Sequence, residues 1–600
     1  MVSPLLRLTV FLLTELALWQ SFSPSFGSVW SSKLNERPKA CILQDNSTSV
    51  VHVLIAGNFT TSKQLGILYI VKADFQDEYH MALGRKEDMN RQGEMKGSVS
   101  MHNTPTNVSE IIQDYRLPPL VGALKASAAE NAASFHFPGH NRGQAAPSSF
   151  SELIGKQPYL HDLNGVPELD HLFTPEGPIL EAQKQAAELF GASETWFLVG
   201  GSTCGIHAVI MATCSPGDNV ILPRNCHISA ISGMILSGVH PKYILPDYDA
   251  DWDIAGGITP SQATIEELEM KGQRAGAVLI VSPTYHGICS KVAEISKLCH
   301  SHGIPLIVDE AHGAHFGFHE LLPDSALCQG ADLVVQSTHK VLCSLTQSSM
   351  LHRSGDLVDR DRICRCLQML QSSSPSYLLL ASLDAARAQV SENKDIIFHN
   401  AIELAMEARS RMSKIHNVSV LDIASFPHFP DMDPLRVTIG TKQLGLSGFE
   451  ADDILSKDFG VVSELVGTRS ITLAFNLGTQ REHILRFISG LKHLSAISAA
   501  SNCTKYSENP DHVMPFDGFS MRLSPREAFF AQKTKVGIKD SIGQICGELI
   551  CPYPPGIPVL IPGEVISEGA LAYMLQVRDK GVVINGASDH LLSSLLVCNV

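Results

Sequence analysis

Asp332-Leu-Val-Val-Gln-Ser337-Thr-His339-Lys340 begins as a short apolar, β-branched run and ends abruptly in polar side chains. A run of that length and composition fits a buried strand, and its change of character marks where the chain leaves a sheet. A lysine at such a point can form an imine with a carbonyl carbon, and a histidine beside it can move protons. Ser-x-His-Lys alone is unspecific. The sequence before it supplies the meaning.

One strand earlier, Pro305-Leu-Ile-Val-Asp309-Glu-Ala-His312 closes on an acid. A carboxylate at the end of a buried strand must be paired or hydrogen-bonded, because an isolated buried charge is costly. The ring nitrogen of pyridoxal 5′-phosphate (PLP) is one such partner, and a carboxylate there keeps the ring protonated as an electron sink. Earlier still, Thr195-Trp-Phe-Leu-Val199 leads into Gly200-Gly-Ser202-Thr203-Cys-Gly205 and a helical segment. A Gly/Ser/Thr loop at a helix N-terminus gathers N–H groups and hydroxyls around an anion, helped by the helix dipole. Such loops also serve as ordinary turns. The chain order carries the argument: phosphate cup, then acid, then lysine, each closing a strand.

The surrounding pattern is consistent with this. Strands are expected at Thr195–Val199, Asn219–Leu222, Ala277–Val281, Pro305–Val308 and Leu333–Val335, with helical segments such as Ile179–Leu189, Gly205–Thr213 and Ile265–Lys271 between them. Alternation of that kind predicts an α/β fold with a mostly parallel sheet flanked by helices. Ligands then sit beyond the carboxyl ends of the strands.

Before Leu117 no periodicity is sustained, although Val50–Ile55 and Leu65–Val71 read as short strands. A helical stretch from Leu378 to Lys414 leads into smaller α+β regions, the last carrying Cys551-Pro-Tyr-Pro-Pro-Gly-Ile-Pro and Glu564. The expected division is a targeting segment over 1–32, a poorly ordered region over 33–116, a PLP-binding large domain over 117–415, a small α+β domain over 416–500 and a C-terminal domain over 501–600.

Composition narrows the function. The 600 residues are 44% hydrophobic and 18% charged, with a net charge of −15 and no Lys/Arg-rich run, which argues against a nucleic-acid partner. The 14 cysteines are scattered without a Cys-x-x-Cys, which favours free thiols over a disulfide framework or zinc site. The apolar run Leu8–Trp19 is too short to span a bilayer and Glu15 interrupts it, so no membrane partner is expected. Arg7, that run and the Ser-rich stretch after it fit a removable segment. With scattered cysteines, a plastid or mitochondrion is expected ahead of a cytoplasmic or secretory location.

The stretch from Leu117 to Arg387 resembles the bacterial-type ornithine/lysine/arginine decarboxylases, PLP enzymes of the aspartate-aminotransferase fold (type I). The motifs that carry the resemblance are Phe135-His-Phe-Pro-Gly-His140, Phe197–Gly205, Arg224-Asn-Cys-His227, Ser282-Pro-Thr-Tyr285, Val308–Phe316, Ser337-Thr-His-Lys340, Leu345–His352 and Gln371–Tyr377. The Pro-Tyr-Pro-Pro-Gly-Ile-Pro run looks like the family's terminal domain.

The resemblance implies decarboxylation of arginine, lysine or ornithine to the amine and CO2, in polyamine-related metabolism, by a homodimer or higher homo-oligomer. Lys340 would carry the cofactor and Asp309 would meet its ring nitrogen. His227 would stack on one ring face and Ala311 on the other. Ser202, Ser337 and His339 would hold the phosphate, with Thr203 assisting, His312 on the cofactor side and His339 or Lys340 handling protons. The sequence departs from the family pattern at Gly200, Ile206, Ile228, Lys291 and Asn164-Gly165. None of these removes a core cofactor contact.

Other readings are weaker. Asp309-Glu-Ala-His312 matches a helicase box, but no Gly-Lys-Ser/Thr loop precedes it. His312, His315 and His319 have the spacing of metal ligands on a helix, yet Gly313 and Gly317 disfavour one, and no metal is assigned. An aminotransferase keeps the same cofactor residues but needs an arginine clamp that the sequence does not reveal. A degenerate regulatory homologue would have no use for the retained lysine. A partner subunit is expected to bring Glu464 or Glu564 to a basic side chain.

Overall fold

The computed structural model describes residues 39–44, 51–56, 117–130, 132–260, 265, 273–394, 396–501, 516, 518–553 and 556–599. The chain divides into two units, 1–108 and 109–600. In the first, β1 (Lys39–Gln44) pairs antiparallel with β2 (Val51–Ala56), close to the expected Val50–Ile55 strand. The expected strand at Leu65–Val71, the segment 1–32 and residues 266–271 lie outside the described residues.

The second unit is built on a seven-stranded sheet. In chain order its elements are α1 (Pro178–Phe190), β3 (Glu194–Leu198), α2 (Gly201–Thr213), β4 (Asn219–Pro223), α3 (Ile228–Ser237), β5 (His240–Ile244) and β6 (Ala275–Val281). Then follow α4 (Val292–Ser301), β7 (Leu306–Asp309), β8 (Leu333–Gln336), the single turn α5 (Thr338–Val341) and β9 (Ser349–Arg353). The strand order is β3-β9-β8-β7-β6-β4-β5. Neighbours from β8 to β5 are parallel, and β9 runs antiparallel to both β8 and β3. The five strands expected from sequence are present within two residues of their predicted ends.

Burial explains why those runs read as continuous apolar stretches. Leu306, Val308, Val278, Ile280 and Val334 belong to one core cluster, whereas Ile307, Ala277, Leu279, Leu333 and Val335 belong to another. Alternate residues therefore face opposite layers, and both layers are covered. Each large aliphatic side chain moved from water contributes about 1.5–3 kcal/mol. Gly205 lets α2 lie close to the sheet: a Cβ there would stand 2.7 Å from Leu198 and 2.8 Å from Val335.

Two helices, α6 (Tyr377–Glu392) and α7 (His399–Met412), fill the helical stretch expected at 378–414. An antiparallel four-stranded sheet follows, from β10 (Ser419–Val420), β11 (Arg436–Gly440), β12 (Leu465–Val466) and β13 (Ser470–Ala474), in the order β10-β11-β13-β12. Helices α8 (Gly448–Phe459) and α9 (Arg481–Ser501) accompany it. Beyond 516, β14 (Lys533–Gly537) pairs with β15 (Ser594–Cys598), and α10 (Glu568–Asp579) packs a separate apolar cluster. No helix among the described residues is long and apolar enough to cross a membrane.

Candidate active site

The parallel strands deliver their chemistry to one edge of the sheet. After β3, the chain turns through Gly200 and Gly201, whose φ of +74° suits glycine, and enters the thirteen-residue α2. The first N–H groups of that helix have no helical acceptor. Ser337, just past β8, donates its hydroxyl to Ser202 Oγ at 2.7 Å, so the two motifs meet at this N-terminus. Thr203 lies exposed on the same turn.

Asp309 ends β7. It is 7% exposed, and the one hydrogen-bond partner of its carboxylate among the described residues is the Ala311 N–H, 3.2 Å from Oδ1. Burial raises its pKa, opposed by the nearby Lys340 and that N–H. Glu310 points elsewhere, accepting from Ala326 N–H and Gln336 Nε2 at 2.7 Å each, so the second acid of the motif is structural.

Lys340 sits on α5. Its Nζ lies 3.1 Å from His312 Nε2 and 5.9 Å from the centre of the Tyr285 ring. Burial lowers its pKa, while Asp309 and Glu464 pull it up and Arg436 pushes it down. The Tyr285 and His312 rings are tilted together with centres 4.6 Å apart. His339 turns its Nδ1 to the Ser348 carbonyl at 2.8 Å, so that nitrogen carries the proton. The lysine's close partner is thus His312 rather than its neighbour in sequence.

His227 caps α3. Its Nδ1 accepts the Ser229 N–H at 3.2 Å, which leaves the proton on Nε2. Burial, then Lys340, lowers its pKa to about 4. The Ile228 N–H donates to Gly556 O at 3.1 Å, so the C-terminal run lies against this histidine. Ala311 is buried beside Asp309.

The three histidines with metal-like spacing take separate partners. His312 meets Lys340 and Arg436, His315 Nε2 lies 3.1 Å from Asp433 Oδ2, and His319 meets His399.

Glu564 overturns one expectation. Its carboxylate accepts from Arg224 Nε at 2.9 Å and Nη2 at 2.8 Å within the same chain, and both side chains are buried. It is unavailable to a partner's substrate. Glu464 of the same chain lies near enough to Lys340 to favour its charged form.

Sequence reading missed Arg436. It is 1% exposed at the start of β11, and its Nη2 lies 3.2 Å from His312 Nδ1. The available signal was a lone cation opening an apolar β-branched run, Leu435-Arg-Val-Thr-Ile439. It also missed a cavity of about 130 Å³ beside Tyr285, lined among others by Asn225, Asp253, Thr284, His286 and Thr468.

Residues 118–431 match the family profile described as the Orn/Lys/Arg decarboxylase major domain, and residues 517–586 match its C-terminal domain. The chain belongs to the Orn/Lys/Arg decarboxylase family. An arginine decarboxylase of Halalkalibacterium halodurans is 37% identical over 481 residues, 80% of this chain and 97% of that protein. One from Bacillus subtilis is 35% identical over 484 residues, with the same coverage. In structure, the constitutive lysine decarboxylase of E. coli superposes with a TM-score of 0.70 at 22% identity, covering 82% of this chain and 83% of that one. The Francisella novicida lysine decarboxylase gives 0.69 at 23% identity, with the same coverage. That likeness shows a shared fold, that of the PLP-dependent type I enzymes.

The relatives correct the expected location. They are bacterial proteins, aligned over 97% of their length, and bacteria have neither plastids nor mitochondria. The organellar assignment built on residues 1–32 is withdrawn.

Proposed function

We propose that this chain, an amino-acid decarboxylase by family, removes CO2 from arginine using PLP carried on Lys340. The observation that carries the reading is the convergence of Lys340, Asp309 and the Ser202–Ser337 pair at one sheet edge. PLP brings an aldehyde, a ring nitrogen and a phosphate, and these residues fit all three. Asp309 is a buried carboxylate holding a single N–H, a costly state that a cationic ring nitrogen relieves. Ser202 and Ser337 stand at a helix N-terminus, where a phosphate dianion is favoured. Thr203 and His339 would complete that cup, and His227 and Ala311 would face the ring.

When bound, PLP would supply a protonated ring that accepts the electron pair left on Cα as CO2 departs. Asp309 keeps that nitrogen charged. Lys340 would hold the cofactor's aldehyde carbon, and its Nζ would be the group placed to return a proton to the substrate Cα. His312 Nε2, 3.1 Å from Nζ, orients that amine. Tyr285 and the surrounding apolar side chains keep bulk water away, which strengthens each of these charge interactions.

Arginine is favoured over lysine because relatives named arginine decarboxylase are 34–37% identical, against 24–25% for those named lysine decarboxylase. Asp253, which lines the cavity beside Tyr285, is the carboxylate we assign to the substrate's distal cation. An aminotransferase would use Arg436 to clamp the α-carboxylate. The names of the relatives, arginine and lysine decarboxylases, favour decarboxylation over that reading.

We assign residues 117–415 to cofactor binding, 416–500 to a small domain and 501–600 to the terminal domain. A homodimer or higher homo-oligomer would cover Phe135 and Phe137, which are 102% and 75% exposed in the single chain. The amine product would feed polyamine-type metabolism.

Incubating the purified protein with PLP and arginine, lysine or ornithine separately, and measuring CO2 and amine, tests the function. Arginine should give both in equal amounts. Release from lysine or ornithine alone would overturn the substrate assignment, and release from none would overturn the activity.

A further inference from the structure

His312 stands between two nitrogen groups. Its Nε2 is 3.1 Å from Lys340 Nζ, and its Nδ1 is 3.2 Å from Arg436 Nη2. A guanidinium has only donors and keeps its charge in proteins. Nδ1 is therefore the acceptor in its pair with Arg436. A neutral imidazole has a single acceptor nitrogen, so its proton must be on Nε2. That N–H points at Lys340. An ammonium, with three donors and no lone pair, cannot receive it, whereas a neutral amine can. The two contacts are compatible with one pattern: Arg436 charged, His312 neutral with hydrogen on Nε2, and Lys340 uncharged.

We propose that Arg436 is a positioning residue that fixes the His312 tautomer and, through it, holds Lys340 as the free amine able to join the cofactor. This rests on Lys340 being the cofactor lysine. The need is real, because with an ordinary pKa of ~10.4 only about one lysine in a thousand is an amine at neutral pH. Arg436 suits the task. Its Nη2 makes the side chain's one hydrogen bond among the described residues, to His312.

The other groups around the pair are accounted for. Asp309 and Glu464 favour the ammonium form of Lys340, while burial and Arg436 oppose it. His227 also feels Lys340 and is itself held neutral by burial. Tyr285 stays protonated, since burial raises its pKa well above the usual value. Burial lowers the pKa of His312 well below the ordinary one, and an imidazolium would turn a second N–H on the Arg436 donors. On the far side of Arg436, Asp433 supplies negative charge and is also paired with His315. Arg409 donates to the Arg436 carbonyl and leaves the guanidinium untouched.

The test uses full-length enzyme freed of PLP. Brief acetylation across a pH series, read by peptide mass spectrometry, gives the reactivity of Lys340 without any turnover. In the unaltered protein, Lys340 should react at neutral pH far faster than an exposed lysine. Arg436→Met should lower that reactivity by about tenfold or more, one pKa unit or more. Arg436→Lys, which still donates, should restore most of it and guards against misfolding. His312→Phe keeps the Arg436 charge but removes the link, so it should behave like Arg436→Met. Nitrogen NMR of labelled histidine should show His312 protonated on Nε2.

An unchanged Lys340 profile in Arg436→Met, with only a raised KM for the amino acid, would make Arg436 a substrate anchor and overturn the proposal. So would a normal profile in His312→Phe, which would reduce Arg436 to a distant charge, or a His312 proton on Nδ1. Finding PLP on another lysine would defeat the cofactor assignment while leaving these reactivity results readable.

Discussion

Arg224 and Glu564 form a buried two-point ion pair, with Nε–Oε1 at 2.9 Å and Nη2–Oε2 at 2.8 Å, across 340 residues of sequence. Arg224 also donates to the carbonyls of Pro558 and Val559 at 2.7 and 3.0 Å. One side chain from the loop after β4 therefore organises the C-terminal segment that lies against His227. Burial disfavours both charges, and each partner offsets the cost for the other.

Removing one half of such a pair strands the other charge, typically at 3–5 kcal/mol. Glu564→Gln should lower the thermal midpoint and increase protease cutting after residue 516. Arg224→Met with Glu564→Leu should recover part of that loss, because no lone charge remains. A single variant with unchanged melting would contradict the account.

Acid should destabilise the fold in a defined window. Burial depresses the pKa of His227 and His286 to about 4 and of His352 to about 3, all from an ordinary 6.5. The unfolded chain then binds protons that the native state refuses, so the stabilisation is present above pH 6.5 and is lost as pH falls through about 4. Denaturant titrations should show stability dropping across that range. His352 accepts from the Thr195 hydroxyl and donates to Gln336 Oε1. Its replacement by Gln should flatten the slope, and an equally steep slope in His352→Gln would remove that histidine from the explanation.

Asp253 should govern substrate selection more than chemistry. It accepts hydroxyls from Tyr248 and Thr468 at the cavity wall. Asp253→Asn keeps the shape and removes the charge, so KM for arginine should rise by about tenfold or more, with a smaller change in kcat. A lowered kcat at constant KM would place Asp253 in the chemical step instead.

Much of this site was legible in sequence because the buried strands are short and end where the chemistry begins. Val308-Asp309 and Gln336-Ser337 mark two such ends, and the structure brings both to one edge. What local reading could not supply were relations between distant segments. In sequence, Arg224 reads only as part of a motif and Glu564 only as one of two acids a partner subunit could deliver, because nothing in either neighbourhood names the other. Arg436 opens a strand of the four-stranded sheet, whereas Lys340 follows β8 of the seven-stranded one, and His312 links the two. The antiparallel β9, Ser349–Arg353, does not read as a strand in sequence, because Ser349, His352 and Arg353 interrupt its apolar character. His352 is nonetheless fully buried, satisfied by Thr195 and Gln336.

The central claim is that Lys340 carries PLP in a decarboxylase. Reducing the PLP-loaded protein with borohydride, digesting it and locating the pyridoxyl group by mass spectrometry tests that claim most directly. The account predicts the label on Lys340, loss of CO2 release from arginine on reduction, and neither label nor activity in Lys340→Ala. A label on any other lysine, or full activity in Lys340→Ala, would contradict it.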